Sequence, residues 1–245
     1  MGAGPERLYL SLIRPTLARS DILLATSHSE SKRFIRYWPK LAPKIRTVGL
    51  GVSRELMDAE PSRPDITRDW SRPYVLAVGR LNVRKNLERL MAAYASSEEV
   101  HTSHDLLVVG PPGGATGLHA LVPPALEFSI LFTGGVTDAE LAWLYRNAAV
   151  FAFPSLDEGF GLPLVEAYLA GVPIVASDIP VFREHGLASD YFNPASTEDI
   201  ARSLESAVKM ERRRPRVGVE STYDWSVVVR KIRGHVRPDH ERTMA

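Results

Sequence analysis

Phe153-Pro154-Ser155-Leu156-Asp157-Glu158-Gly159-Phe160-Gly161-Leu162-Pro163-Leu164-Val165-Glu166-Ala167 joins an apolar run to a helical pattern through a glycine turn. Val150 to Phe153 is continuous rather than alternating, which suits a strand covered on both faces. Gly159 and Gly161 permit a tight turn and close approach of backbone to a ligand. Pro163 fits the first turn of a helix, and Leu164, Ala167 and Tyr168 continue at helical spacing. Gly159 to Leu162 therefore sit at a helix N-terminus, whose unpaired N–H groups bind phosphate and oxygen-rich ligands.

Outward from this unit the same alternation repeats. Short apolar runs occur at Ile22 to Ala25, Tyr74 to Val78, Leu106 to Val109, Ile130 to Phe132 and Ile174 to Ala176, and a second short strand is expected near Ile45 to Val48. Helical patterns lie between them. Asn86 is placed to cap a helix carrying Leu87, Leu90, Met91 and Tyr94. Thr137 and Glu140 form a capping-box pattern. Ser196 and Asp199 open a helix with Ile200, Leu204, Ala207 and Val208 on one stripe. Asp224-Trp225 starts a last helical stretch ending near Arg233. Ala59 to Pro73, with Pro61, Pro64 and Pro73, is a connecting loop. The alternation predicts an α/β fold with a doubly wound parallel sheet, binding ligands beyond the carboxyl ends of its strands.

Composition excludes several alternatives. The 245 residues are 44% hydrophobic and 24% charged, with a net charge of +1, so no global field draws the chain to nucleic acid. With no cysteine, disulfides, thiolate nucleophiles and Cys-based zinc sites are ruled out, and a reducing compartment suits it. Leu8 to Ile13 is too short for a signal-peptide core, and no run approaches the roughly 20 apolar residues of a membrane span.

Two acids and two cations carry the expected chemistry. Glu158 precedes the glycine turn and Glu166 lies about one turn into the helix. An ionised carboxylate offers only acceptors, which suits sugar and ribose hydroxyls. Glu166 alone is equally well explained as a favourable helix-dipole partner. Val78-Gly79-Arg80-Leu81-Asn82-Val83-Arg84-Lys85-Asn86 places Arg80 and Lys85 in a strand-to-helix loop, where they can neutralise a diphosphate. The glycine-rich loop Val109 to Gly117 lacks P-loop and dinucleotide spacing and is expected to be a flexible loop. The histidines, His185 near the cleft included, are not expected to bind metal. Arg212 to Arg216 is a basic run expected to be a solvated loop, with contact to anionic lipid as the alternative.

Gly79-Arg80…Lys85-Asn86, Thr133-Gly134-Gly135-Val136, the Phe153 to Ala167 segment and Gly171-Val172-Pro173-Ile174-Val175-Ala176-Ser177 resemble retaining glycosyltransferases of the GT-B fold. They are most similar to glycosyltransferase family 4, whose E-x7-E motif matches Glu158 and Glu166. The resemblance implies a Rossmann-like sheet forming the C-terminal half of a GT-B fold. Residues 1–52 would be a remnant of the N-terminal acceptor domain, 53–225 the nucleotide-sugar-binding domain, and 226–245 a C-terminal helix and tail. It assigns Arg80 and Lys85, behind Gly79, to the donor diphosphate and Glu158 to donor-sugar hydroxyls. The backbone of Gly159, Phe160, Gly161 and Leu162 would contact sugar and phosphate oxygens. Glu166 would hold ribose hydroxyls, and the backbone at Val136 the base.

The resemblance implies no cofactor and no metal. The partners would be a nucleoside-diphosphate sugar and a saccharide or lipid-linked acceptor, with mannose or glucose as the hexose moved. A cytoplasmic location, extending to the inner face of the membrane, follows from it. The alternative is a non-catalytic nucleotide-sugar-binding subunit, or half of a split enzyme, needing a partner chain for the N-terminal domain.

Overall fold

The computed structural model describes residue 13 and residues 15–66, 70–113, 117–212 and 214–236. Leu8 to Leu12 of the first apolar run, the middle of the glycine-rich loop (114–116), Arg213, and the tail from residue 237 lie outside the described residues. The chain divides into two compact units. One is built from described residues up to Gly51 and from Tyr223 onward; the other is Val52–Thr222.

In the first unit, β1 (Leu23–Ala25) pairs in parallel with β2 (Ile45–Thr47), Leu23 opposite Ile45. Between them, α1 (His28–Tyr37) starts at Ser27, whose hydroxyl accepts from the Glu30 amide. Trp225–Val236 forms the last described helix.

The second unit opens with α2 (Arg54–Asp58) and then alternates strand and helix: β3 (Tyr74–Val78), α3 (Leu87–Ser96), α4 (Glu98–Ser103), β4 (Asp105–Val109), β5 (Ile130–Gly134), α5 (Asp138–Asn147), β6 (Val150–Phe153), α6 (Leu162–Leu169), β7 (Ile174–Ser177), α7 (Pro180–His185), β8 (Asp190–Phe192) and α8 (Thr197–Ala207). Six parallel strands stand in the order β5-β4-β3-β6-β7-β8. Counted within the unit this is 3-2-1-4-5-6, the doubly wound Rossmann order, with its switch point between β3 and β6. The expected fold class is therefore the observed one.

The continuous apolar runs are explained by cover on both faces. Val75, Ala77, Val108 and Ala152 point to one side, packed with Leu90, Met91 and Tyr94 of α3 and Ile200 and Leu204 of α8. Leu76, Leu107, Phe151 and Phe153 point to the other, packed with Leu144 and Tyr145 of α5, Leu164 of α6 and Phe182 of α7. Neighbouring residues in one strand thus both need apolar side chains. β8 leaves no clear signal in the sequence because it is three residues at the sheet edge, with only Phe192 fully buried.

Most expected helix starts are found. Thr137 and Glu140 form both halves of the capping box, and Ser196 accepts from the Asp199 amide. Asn86 differs. It occupies the N-cap position of α3 but makes no side-chain cap. It sits in the left-handed region at φ 54°, which Asn tolerates better than most residues, and its amide faces elsewhere.

Candidate active site

The site forms at the switch point, where two loops leave the carboxyl ends of adjacent strands. Residues 79–86 follow β3 and residues 154–161 follow β6. Hydrogen bonds to main-chain carbonyls join them. The Leu156 amide donates to the Arg84 carbonyl at 2.8 Å, and Asn86 Nδ2 donates to the Pro154 carbonyl at 3.1 Å. Arg84 Nη1 reaches the Asp157 carbonyl at 3.4 Å. Asn86 Nδ2 also donates to the Pro194 carbonyl at 2.9 Å, so this side chain cross-links loops instead of capping its helix.

A buried ion pair lies between the loops. Lys85 Nζ is 2.7 Å from Glu158 Oε1, with both residues 8% exposed. Ser155 Oγ donates to the same oxygen at 2.9 Å, while Arg84 Nη1 meets Oε2 at 3.2 Å. Lys85 is turned inward by a single 3-10 turn, Val83–Lys85, started by Asn82, whose side chain accepts from the Lys85 amide. Its ammonium also lies 4.6 Å from the centre of the Phe153 ring. Gly79 makes room for this: a Cβ there would come 2.7 Å from Lys85 Cε. The cation expected to meet phosphate and the acid expected to meet sugar are thus direct partners.

The α6 N-terminus stands beside this pair. Gly161 occupies its N-cap position at φ 89°, and no side chain caps the helix. A Cβ on Gly161 would come 2.6 Å from the Phe182 ring. Phe160 is fixed from α7, its carbonyl contacting His185 Nε2 at 2.8 Å and its ring meeting the imidazole edge-on at 4.6 Å. A carbonyl can only accept, so the proton is on Nε2. Burial lowers the His185 pKa, keeping the ring neutral.

Glu166 projects from α6 toward α5. The Tyr145 hydroxyl donates to Glu166 Oε2 at 2.8 Å. Burial raises the Glu166 pKa; Tyr145 opposes that shift, Asp138 adds to it and Lys85 again opposes it. Burial pushes the Tyr145 hydroxyl well above its ordinary range, so it stays a neutral donor.

Arg80 and Val136 stand apart from the ion pair. Arg80 is exposed, with no ion pair among the described residues, and its stem passes over Gly113, where a Cβ would come 2.2 Å from Arg80 Cγ. Val136 is half-buried between β5 and the Thr137 cap, packed on the α5 side of the sheet. Sequence reasoning assigns no role to Arg84, Ser155 or Tyr145. Arg84 and Ser155 lie inside the two motifs, but Tyr145 is distant in sequence, and its link to Glu166 exists only in the fold. Arg212 corrects the picture of a solvated basic run. Its guanidinium donates to the carbonyls of Ala148 at 2.7 Å, Tyr145 at 3.3 Å and Ala170 at 2.7 Å, bridging the ends of α5 and α6.

Among the described residues, no group of three His, Cys, Asp or Glu side chains could hold a metal ion, and no helix is long and apolar enough to cross a membrane.

The sequence profile of the family described as glycosyl transferases group 1 matches residues 58–222. The chain belongs to the glycosyl transferases group 1 family. A serotype-specific mannosyltransferase of Escherichia coli, WbdA, is 29% identical over 204 residues, covering 79% of this chain and 25% of the relative. The GDP-mannose:cellobiosyl-diphosphopolyprenol alpha-mannosyltransferase of Komagataeibacter xylinus is 30% identical over 238 residues, 91% of this chain and 58% of the relative. The solved structure of Anabaena HepE with UDP and glucose superposes with a TM-score of 0.68 at 18% identity, over 94% of this chain and 61% of that one. At that identity the likeness speaks for the fold alone. The chain spans between a quarter and about three fifths of these relatives' length.

Proposed function

We propose that this chain is the donor-binding half of a retaining, family 4 glycosyltransferase. It moves a hexose, mannose by preference, from a nucleoside-diphosphate sugar to a saccharide or lipid-linked acceptor. The observation that carries this reading is the Lys85–Glu158 pair set against the uncapped α6 N-terminus at the sheet switch point. Such a corner offers a cation and the N–H groups of a helix start to a diphosphate, and a carboxylate to sugar hydroxyls. The mannosyltransferase relatives support mannose, and GDP-mannose is named for the Komagataeibacter enzyme.

In this mechanism, Arg80 swings in from solvent to the diphosphate, while Lys85 reaches it from the side of Glu158. As the bond from the sugar C1 to the phosphate oxygen breaks, its electron pair passes to the diphosphate. Arg80, Lys85 and the amides of Phe160, Gly161 and Leu162 stabilise that charge. The acceptor oxygen bonds to C1 on the face the leaving group departs, and its proton goes to the leaving phosphate. Glu158 holds the sugar hydroxyls, Glu166 those of ribose, and the backbone at Val136 the base. No metal or cofactor is invoked, because the cations and the helix end balance the diphosphate.

Thermal-shift titration with GDP-mannose, UDP-glucose, ADP-glucose and a dTDP-sugar tests the donor site, since a ligand of the folded state raises its midpoint by mass action. A shift with GDP-mannose, reduced in Glu158→Gln, supports the reading; no shift with any donor refutes it. Transfer assays followed by NMR of the product anomer test retention. Donor binding without transfer, restored by a second chain, would favour the binding-subunit alternative.

A further inference from the structure

Glu166 is held from the neighbouring helix with one oxygen occupied and one open. Tyr145 reaches it from α5 and is completely buried, its ring set edge-on to Phe151 at 5.7 Å. Its carbonyl accepts from Arg212, whose other two bonds tie the ends of α5 and α6 together. The hydroxyl is thus delivered to Glu166 Oε2 from a clamped scaffold and at 2.8 Å. Glu166 Oε1 accepts no hydrogen bond among the described residues, yet it is not among the buried unpartnered atoms, so it keeps access to solvent. The carboxylate borders a recess of about 80 Å³ walled by Leu56, Ala142, Tyr145 and Leu169.

A purely structural bond between helices needs no ionisable partner with an open oxygen. A half-buried carboxylate costs free energy, and an apolar pair would join α5 and α6 without that cost. The arrangement suits a reader of hydroxyl pairs. A carboxylate has about four acceptor positions; one tyrosine uses one and fixes the plane of the rest.

The geometry points to Tyr145 as a positioning residue that orients the open oxygen of Glu166 toward the donor ribose, so that the site selects ribonucleoside over deoxyribonucleoside diphosphates. This rests on the donor-site reading above and adds a substrate class to it. The groups facing Glu166 are Tyr145, Asp138 and Arg146 on α5 and Lys85 from the β3 loop, while α2 presents Leu56 and Met57. Burial raises the Glu166 pKa and the Tyr145 hydrogen bond lowers it, so loss of that bond moves protonation of Glu166 to higher pH.

The test is calorimetric titration of the full chain with GDP and UDP, each beside its 2′,3′-dideoxy form, from pH 5 to 8. The unaltered chain should prefer the ribonucleotide by roughly tenfold or more, from hydrogen bonds to a charged group. Tyr145→Phe keeps the ring and should lower ribonucleotide affinity about tenfold while leaving the dideoxy form unchanged. It should also move the acid-side loss of ribonucleotide binding to higher pH. Glu166→Gln should weaken the preference at every pH, and adding Tyr145→Phe to it should have little further effect. A preference that survives Tyr145→Phe, or equal weakening of both nucleotide forms, overturns the proposal and leaves the donor site standing. If the unaltered chain binds none of the four nucleotides, the donor-site reading falls and this proposal falls with it.

Discussion

Lys85 Nζ is 2.7 Å from Glu158 Oε1, and this is the buried ion pair among the contacts that join the loop after β3 to the loop after β6. Ser155 and Arg84 complete the shell around the carboxylate. The pair therefore holds the two loops together, and in the function proposed above it also keeps a cation beside the donor diphosphate.

Removing one member should cost more than removing both. Lys85→Met leaves Glu158 buried without its main partner and should lower stability by about 3 kcal/mol, a typical loss for a broken buried pair. Lys85→Met with Glu158→Leu removes the uncompensated charge and should recover a large part of that loss. Urea denaturation of the variants checks it; a double variant as unstable as the sum of the singles would contradict the account.

Gly161 has no tolerance for a side chain. Its left-handed backbone opposes one, and so does the Phe182 ring, which lies 2.6 Å from where a Cβ would stand. Gly161→Ala should destabilise by about 1–3 kcal/mol. Pairing it with Phe182→Leu should relieve the steric part and leave the backbone part. Donor affinity should fall in both, because the α6 amides move. Urea denaturation and donor titration of the two variants check this; unchanged donor affinity in both would contradict it.

His185 gives a defined pH dependence. Burial lowers its folded-state pKa below the ordinary 6.5, so in that window the unfolded chain binds more protons and stability rises with pH. Acidification from 6.5 should therefore remove stability until pH passes the folded-state value. His185→Gln can still donate to the Phe160 carbonyl and should flatten this slope. His104, also lowered by burial, supplies a remainder. Denaturation midpoints at half-unit pH steps would show a slope identical to that of the unaltered chain if His185 has no part in it.

Arg212 should matter out of proportion to its exposed surroundings. Arg212→Met deletes three bonds to carbonyls at the ends of α5 and α6, costing about 1–3 kcal/mol. Hydrogen exchange should quicken in the last turns of α5 and α6 more than in α3, on the opposite face of the sheet. Uniform acceleration would indicate global destabilisation instead.

What the sequence makes legible is periodic or local. Tyr74 to Val78 and Val150 to Phe153 stand out because burial on both faces forces unbroken apolar runs. The Thr137–Glu140 cap is legible because both partners lie in one turn. Lys85 and Glu158 can be named individually from their loops. Their direct contact cannot, because neither segment carries information on the gap between β3 and β6. Asn86 looks like a cap by position, whereas its amide is claimed by Pro154 and Pro194, both remote in sequence. Tyr145 looks like one more core aromatic on α5; only the packing of α5 against α6 brings its hydroxyl to Glu166.

The switch point also sets the order of events as the chain is made. Lys85 and Glu158 are 73 residues apart. At roughly 5–20 residues per second, about 4–15 s pass between their syntheses. β3, β4 and β5 can pair with their sequence neighbours during that interval, while Lys85 waits in water. Only when β6 emerges and docks beside β3 does the lysine leave solvent, so the corner that would hold the donor closes after half of its sheet is already in place.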